Sequence, residues 1–167
     1  MKKTIIIALS CLAVLFAACD KPTPPVDYSD NYVGDYVGQF LFNDISMTVA
    51  GQTQNGISFP IDSINMSITK GSEANAITAT VTVDNETRQT AGTSMEEKAD
   101  FESIHLIIDK PDQGYKFELD LKMEGTKESD TLNITGTFTG DGRFIFNEME
   151  TILDEVTGNL QGKLIER

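Results

Sequence analysis

From Tyr32 onward the apolar positions recur every second residue. The clearest stretch is Tyr115 to Glu124, where every odd position is apolar and every even one is charged. A strand with one face on a core and the other in water has this period, and a helix does not separate the two sets. Leu119 is thus expected to point inward and its neighbour Asp120 outward. The same alternation runs through Ile45-Met47-Val49, Ile77 to Val83 against Thr78, Thr80 and Thr82, Ile104 to Ile108, and Leu132 to Phe138. Turn residues punctuate these runs at Ala50-Gly51, Asn55-Gly56, Lys70-Gly71, Pro111 to Gly114 and Gly140-Asp141-Gly142. The pattern predicts an all-β antiparallel meander.

Its irregularities are informative. Between Gly56 and Thr69 the apolar set is first odd (Ile57, Phe59, Ile61) and then even (Ile64, Met66, Ile68), which requires one extra residue. A bulge or corner is therefore expected at Asp62-Ser63, beside Pro60, which has no ladder donor. Gly34 and Gly38 in the first strand have the spacing of Gly158 and Gly162 in the last. Pairing these two strands would close the sheet into a barrel of roughly eight strands and remove both edges. Met149, Ile152, Leu153 and Val156 recur with helical spacing, with Asn147 as a cap and Gly158 as a stop. A short helix from Glu148 to Thr157 thus competes with a strand carrying Ile152 and Val156. The polar stretch Asn85 to Asp100 reads as a long loop, or as a loop with a helical turn around Met95 to Ala99.

Composition separates the first eighteen residues from the rest. The chain carries 26 acidic and 13 basic side chains, yet Met1 to Ala18 holds two lysines, no acid and an apolar run from Ile5, as a signal peptide does. Leu15-Phe16-Ala17-Ala18-Cys19 resembles a bacterial lipobox, which would acylate Cys19 and anchor the protein to the membrane. The apolar run is too short to span a bilayer comfortably, and stable anchoring by lipid takes more than one chain, which such processing provides. Three of the five prolines follow within Pro22 to Pro25. At about 3 Å per residue, this extended tether would hold the folded part roughly 30 Å off the membrane. The organisation expected is a signal peptide at 1–18, lipidated Cys19 and tether at 19–31, and one barrel domain at 32–167, about one core's worth of chain. The location expected is the cell envelope, with the outer membrane favoured and the leaflet open. Cys11 and Cys19 are the only cysteines, so the mature domain has no disulfide framework. Nucleic acid is not an expected partner of so acidic a chain, because its affinity rests on Lys and Arg neutralising phosphates.

The lipobox and tether, together with Tyr32 to Gly38, Ile134 to Gly140 and Gly158 to Leu164, resemble the calycin-like, or lipocalin-like, small lipoproteins of Bacteroidetes. The resemblance spans most of the mature chain through loose Gly/aromatic strand patterns, and it implies an antiparallel barrel without established catalysis. The chain has no Trp, so the Gly-x-Trp signature of true lipocalins is absent.

The search for chemistry is nearly empty. His105 is the single histidine and alternates with Ile104 and Leu106, as a solvated strand residue would. No Cys/His set for zinc exists, no catalytic or metal-binding residue can be named, and no cofactor is expected. Without Trp, a sugar-stacking surface is disfavoured. Asp62-Ser63-Ile64 and Asp130-Thr131-Leu132 resemble the O-glycosylation motif of secreted Bacteroidetes proteins, which makes Ser63 and Thr131 candidate sites. Two functions remain. In one, the barrel is filled by its own side chains and the protein is a non-enzymatic interaction or structural module, meeting an envelope partner through Asn85 to Asp100. In the other, Tyr36, Phe40, Phe117 and Phe138 line a lipocalin-like interior, with Gly34, Gly38 and Gly136 leaving room for a small apolar ligand.

Overall fold

The structure, a computed structural model, describes residues 24–83, 86–146 and 149–167. The expected signal peptide and Cys19 lie outside them, as do Asn85, Asn147 and Glu148. The described residues form β1 (Gly34–Val49), β2 (Gln52–Lys70), β3 (Ala76–Val83), β4 (Glu86–Ser94), β5 (Ala99–Lys110), β6 (Tyr115–Glu128), β7 (Thr131–Phe146) and β8 (Met149–Glu166). Each strand pairs antiparallel with the next, and β1 pairs with β8 from Tyr36↔Glu166 to Thr48↔Glu155, so the meander closes into a barrel. The Gly38↔Leu164 and Phe40↔Gly162 pairs bring together the glycine-bearing segments that the sequence matched. At Gly38 a Cβ would run into the backbone carbonyl of Lys163, so only glycine lets this seam coil so tightly.

The inward set follows the alternation. Leu119, Leu121 and Met123 of β6 are buried, and Asp120, Lys122 and Glu124 are exposed. The phase change in β2 is a bulge at the expected place: Gly38 faces Ile64 and Phe40 faces Ile61, so Asp62 and Ser63 stand opposite Gln39 alone. Ser63 takes a left-handed φ of 63° there.

Two expectations are corrected. Met149 to Thr157 is strand, not helix. In β8, Gly140 pairs with Val156 and Gly142 with Leu153, so Asp154 and Glu155 bulge opposite Asp141. The bulge sets the buried Leu153 and Val156 three residues apart, which is the spacing of one helical face. The polar stretch after Asn85 is not a long loop either, since β4 occupies Glu86–Ser94. Its inward positions are Arg88, Thr90, Gly92 and Ser94, so no hydrophobic period marks it.

An up-and-down barrel has two ends. The turns after β2, β4 and β6 lie at one end together with the segment entering β1. The turns after β1, β3, β5 and β7 lie at the other. The wall is uneven, because β2 has 19 residues and β3 only 8. Residues Gln52 to Ile64 pair with β1 alone, beyond the last β2–β3 pair at Asn65↔Thr82. The second end is thus a slanted mouth, high on the β2–β1–β8–β7–β6 side and low at β3–β4.

Candidate ligand-binding mouth

The first end is shut. A 3-10 turn at Ser29–Asn31 crosses it and buries Tyr32 against Tyr36, whose hydroxyl donates to the Tyr32 carbonyl at 2.7 Å. Lys127 reaches inward from β6, 5.3 Å from the Tyr36 ring centroid, and pairs with Glu166 at 2.6 Å. Burial pushes the Tyr36 hydroxyl up from its ordinary value, against the pull of Lys127. Burial works to lower Lys127, yet hydrogen bonds to Glu166 and Tyr36 prevail and hold it above its ordinary value. The entering chain is latched outside this plug. Asp27 Oδ1 accepts from the Ser29 hydroxyl at 2.6 Å, the Ser29 N–H at 3.0 Å and the Asn75 N–H at 3.1 Å. Those bonds, with Lys70 nearby, hold its carboxyl well below the ordinary range.

The second end is lined by aromatics. Phe42 stacks on Phe59 at 5.2 Å and meets Phe138 edge-on at 5.1 Å. Phe59 also stacks on Phe117 at 5.6 Å, and Phe117 meets Phe144 edge-on at 5.5 Å. Among the described residues, the half-buried hydrophobics packed on the core are Val49, Phe59, Tyr115 and Phe144, all at this mouth. They border two recesses that share Met47 and Phe144. One, of about 520 Å³, lies between the β1–β2 hairpin and β8, where Gln52, Gln54 and Thr151 are its polar groups. The other, of about 450 Å³, lies between β2 and the β5–β6 turn, over Phe59, Tyr115 and Phe117, with Asp62 and Gln113 at its rim. Ile57, Ile145, Met149 and Ile152 remain exposed around the same end.

The four residues expected to line one interior site are all buried but are not gathered together. Tyr36 belongs to the closed end. Phe40 fills the middle of the barrel, against Gly162. Phe117 and Phe138 belong to the aromatic group under the mouth, and of these Phe117 lines a recess. Sequence reasoning missed Phe59, Tyr115 and Phe144 as site residues, although their alternation marked Phe59 and Tyr115 as inward. Of the glycines expected to leave room, Gly136 abuts the backbone carbonyl of Lys122 and Gly34 the Glu166 carboxylate. Gly136 thus serves close packing of strands and Gly34 faces a side-chain carboxylate, so neither opens a hollow.

His105 is on the outer face, its Nδ1 3.0 Å from Asp120 Oδ1 across the β5–β6 ladder. Ser63 is exposed on its bulge, and Thr131 opens β7 with its hydroxyl 3.5 Å from Asp130 Oδ1. Among the described residues no three His, Cys, Asp or Glu side chains converge as a metal site requires.

No family model matches the chain, and no curated protein matches it. Among solved structures it is similar to a multidomain protein including DUF1735 from Bacteroides ovatus, with 12% identity over 80% of this chain and 50% of that one, at a TM-score of 0.27. The chain spans about half the length of that protein's chain.

Proposed function

We propose that this barrel is a non-enzymatic binding module of the cell envelope, tethered by lipid on Cys19, that takes a small apolar ligand in its open mouth. The carrying observation is the pair of recesses under half-buried Phe59, Tyr115 and Phe144, at the end opposite the entering chain. Ligand sites are concave, mostly apolar and furnished with a few polar groups, and this mouth has that composition. The middle of the barrel is packed with its own side chains, so the ligand sits at the rim rather than deep inside. A tether at the shut end turns the mouth away from the anchoring membrane, here the outer membrane. The calycin-like reading is supported by the closed antiparallel meander. A second reading, an envelope protein docked on the same mouth, is favoured by the exposed Ile145, Met149 and Ile152.

Cys19→Ser is expected to release the chain from membranes, and its retention in detergent-requiring fractions would count against the anchor. The released protein should bind the neutral dye N-phenyl-1-naphthylamine at saturable sites, with the signal falling several-fold in Phe144→Ala. Dye binding unchanged in that variant would overturn the mouth as the site. Intact mass of native protein tests modification at Ser63 and Thr131, and a mass explained by lipid alone would remove it.

A further inference from the structure

We infer that the ligand of the mouth is an organic cation, an ammonium or guanidinium carried on an aromatic or aliphatic body. This rests on the mouth being a ligand site and adds the sign of the charge it selects. Among the described residues that line the two recesses, one side chain is charged, and it is the carboxylate of Asp62. The backbone fixes its place, because the β2 bulge at Asp62-Ser63 sets it beside Pro60 at the open edge of the strand. Basic residues toward this end of the barrel are engaged elsewhere. Arg88 on the low wall pairs with Glu86 at 2.8 Å, Lys116 with Glu118 at 2.6 Å, and Arg143 with Glu150 at 2.9 Å. Lys110, opposite Tyr115 in the β5–β6 ladder, has its own partner and is not among the lining side chains. Asp62 makes no ion pair among the described residues.

The aromatic lining of the recess that holds Asp62 is Phe59, Tyr115, Phe117 and Phe144. Aromatic faces are the negative side of the ring quadrupole and attract cations within about 6 Å. A ligand anion would face those rings, the Asp62 carboxylate and a chain of net charge −13, with no cation among the described lining residues to receive it. Asp62 is exposed, and a neutral apolar ligand would fill the recess without drawing on its charge. A cationic head beside Asp62 with its body on the rings satisfies both parts, and the acidic surface raises its concentration at the mouth.

Three probes with one ring system separate the possibilities: 1-naphthylmethylammonium, 1-naphthalenemethanol and 1-naphthoate, titrated calorimetrically into the full chain carrying Cys19→Ser, so that no lipid competes. The ammonium is expected to bind about fivefold to tenfold tighter than the alcohol, and the carboxylate weakest. Asp62→Asn should remove most of the ammonium's advantage over the alcohol. No binding of any probe would sink the mouth reading itself. Equal binding of alcohol and ammonium, or an advantage that survives Asp62→Asn and vanishes in 0.5 M salt, would leave that reading standing and overturn the cation inference. Tightest binding by naphthoate would overturn it outright.

Discussion

Phe59 on β2 and Phe117 on β6 stack with centroids 5.6 Å apart and planes 11° apart, although their strands share no ladder. The pair braces the high wall of the mouth from inside and forms part of the floor on which a ligand would rest. Phe117 is buried and Phe59 half exposed, so the two truncations should differ. Phe117→Ala is expected to cost about 3–5 kcal/mol. Phe59→Ala should cost only about 1–2 kcal/mol in lost apolar burial, while removing dye affinity. Urea denaturation beside dye titration separates the effects, and intact dye binding in Phe59→Ala would contradict its place in the floor.

Leu119 and Asp120 are neighbours on opposite faces of β6. Leu119 is 1% exposed, whereas Asp120 meets His105 outside the barrel. Leu119→Ala should cost about 2–5 kcal/mol through lost transfer energy and a residual cavity. Asp120→Ala should stay within about 0.5 kcal/mol, because an exposed pair of this kind contributes little. Equal losses in urea would mean that the outer face of β6 is also covered.

Close approach of strands is testable at Gly140. A Cβ there would strike the backbone carbonyl of Glu118, which cannot swing aside as a side chain can. Gly140→Ala is therefore expected to part the β6–β7 ladder and destabilise by about 2–4 kcal/mol, with Thr139→Ala, on the exposed face, near neutral. A melting temperature unchanged in Gly140→Ala would show that the ladder yields at no cost.

Asp27 gives a pH dependence with a defined sign. Its folded carboxyl titrates below the ordinary value of 3.8, so the latch contributes fully above that value and is lost as pH falls toward the folded pKa. The difference in Ser29 and Asn75 amide-exchange protection between the native chain and Asp27→Ala should be constant from pH 7 to about 5 and shrink below about 4. A difference that grew on acidification would reverse the assignment.

Alternation along β6, the Asp62-Ser63 bulge and the β1–β8 seam were legible because each lies in the order of apolar residues along a strand. β4 was not, because Arg88, Thr90, Gly92 and Ser94 face inward and leave no apolar period. The start of β8 misled because a bulge at Asp154-Glu155 converts a spacing of two into one of three. The mouth was hidden for another reason. Tyr115 and Phe144 alternate just as core residues do, and what half exposes them is the shortness of β3 and β4, distant in sequence. Wall height is a relation between strands, which no single stretch encodes.

The β1–β8 seam also has a consequence in time. It joins the beginning of the barrel to its end, so closing it must wait for the longest loop in the chain to be spanned, and contacts of such high sequence separation slow folding. While the chain emerges from its N-terminus, β1 has its partner β2 but no β8, and its second edge stays open until the last strand arrives. During that interval the incomplete sheet is exposed to pairing with another chain. Uncharged runs such as Gln52 to Ile61 are where such mispairing would begin.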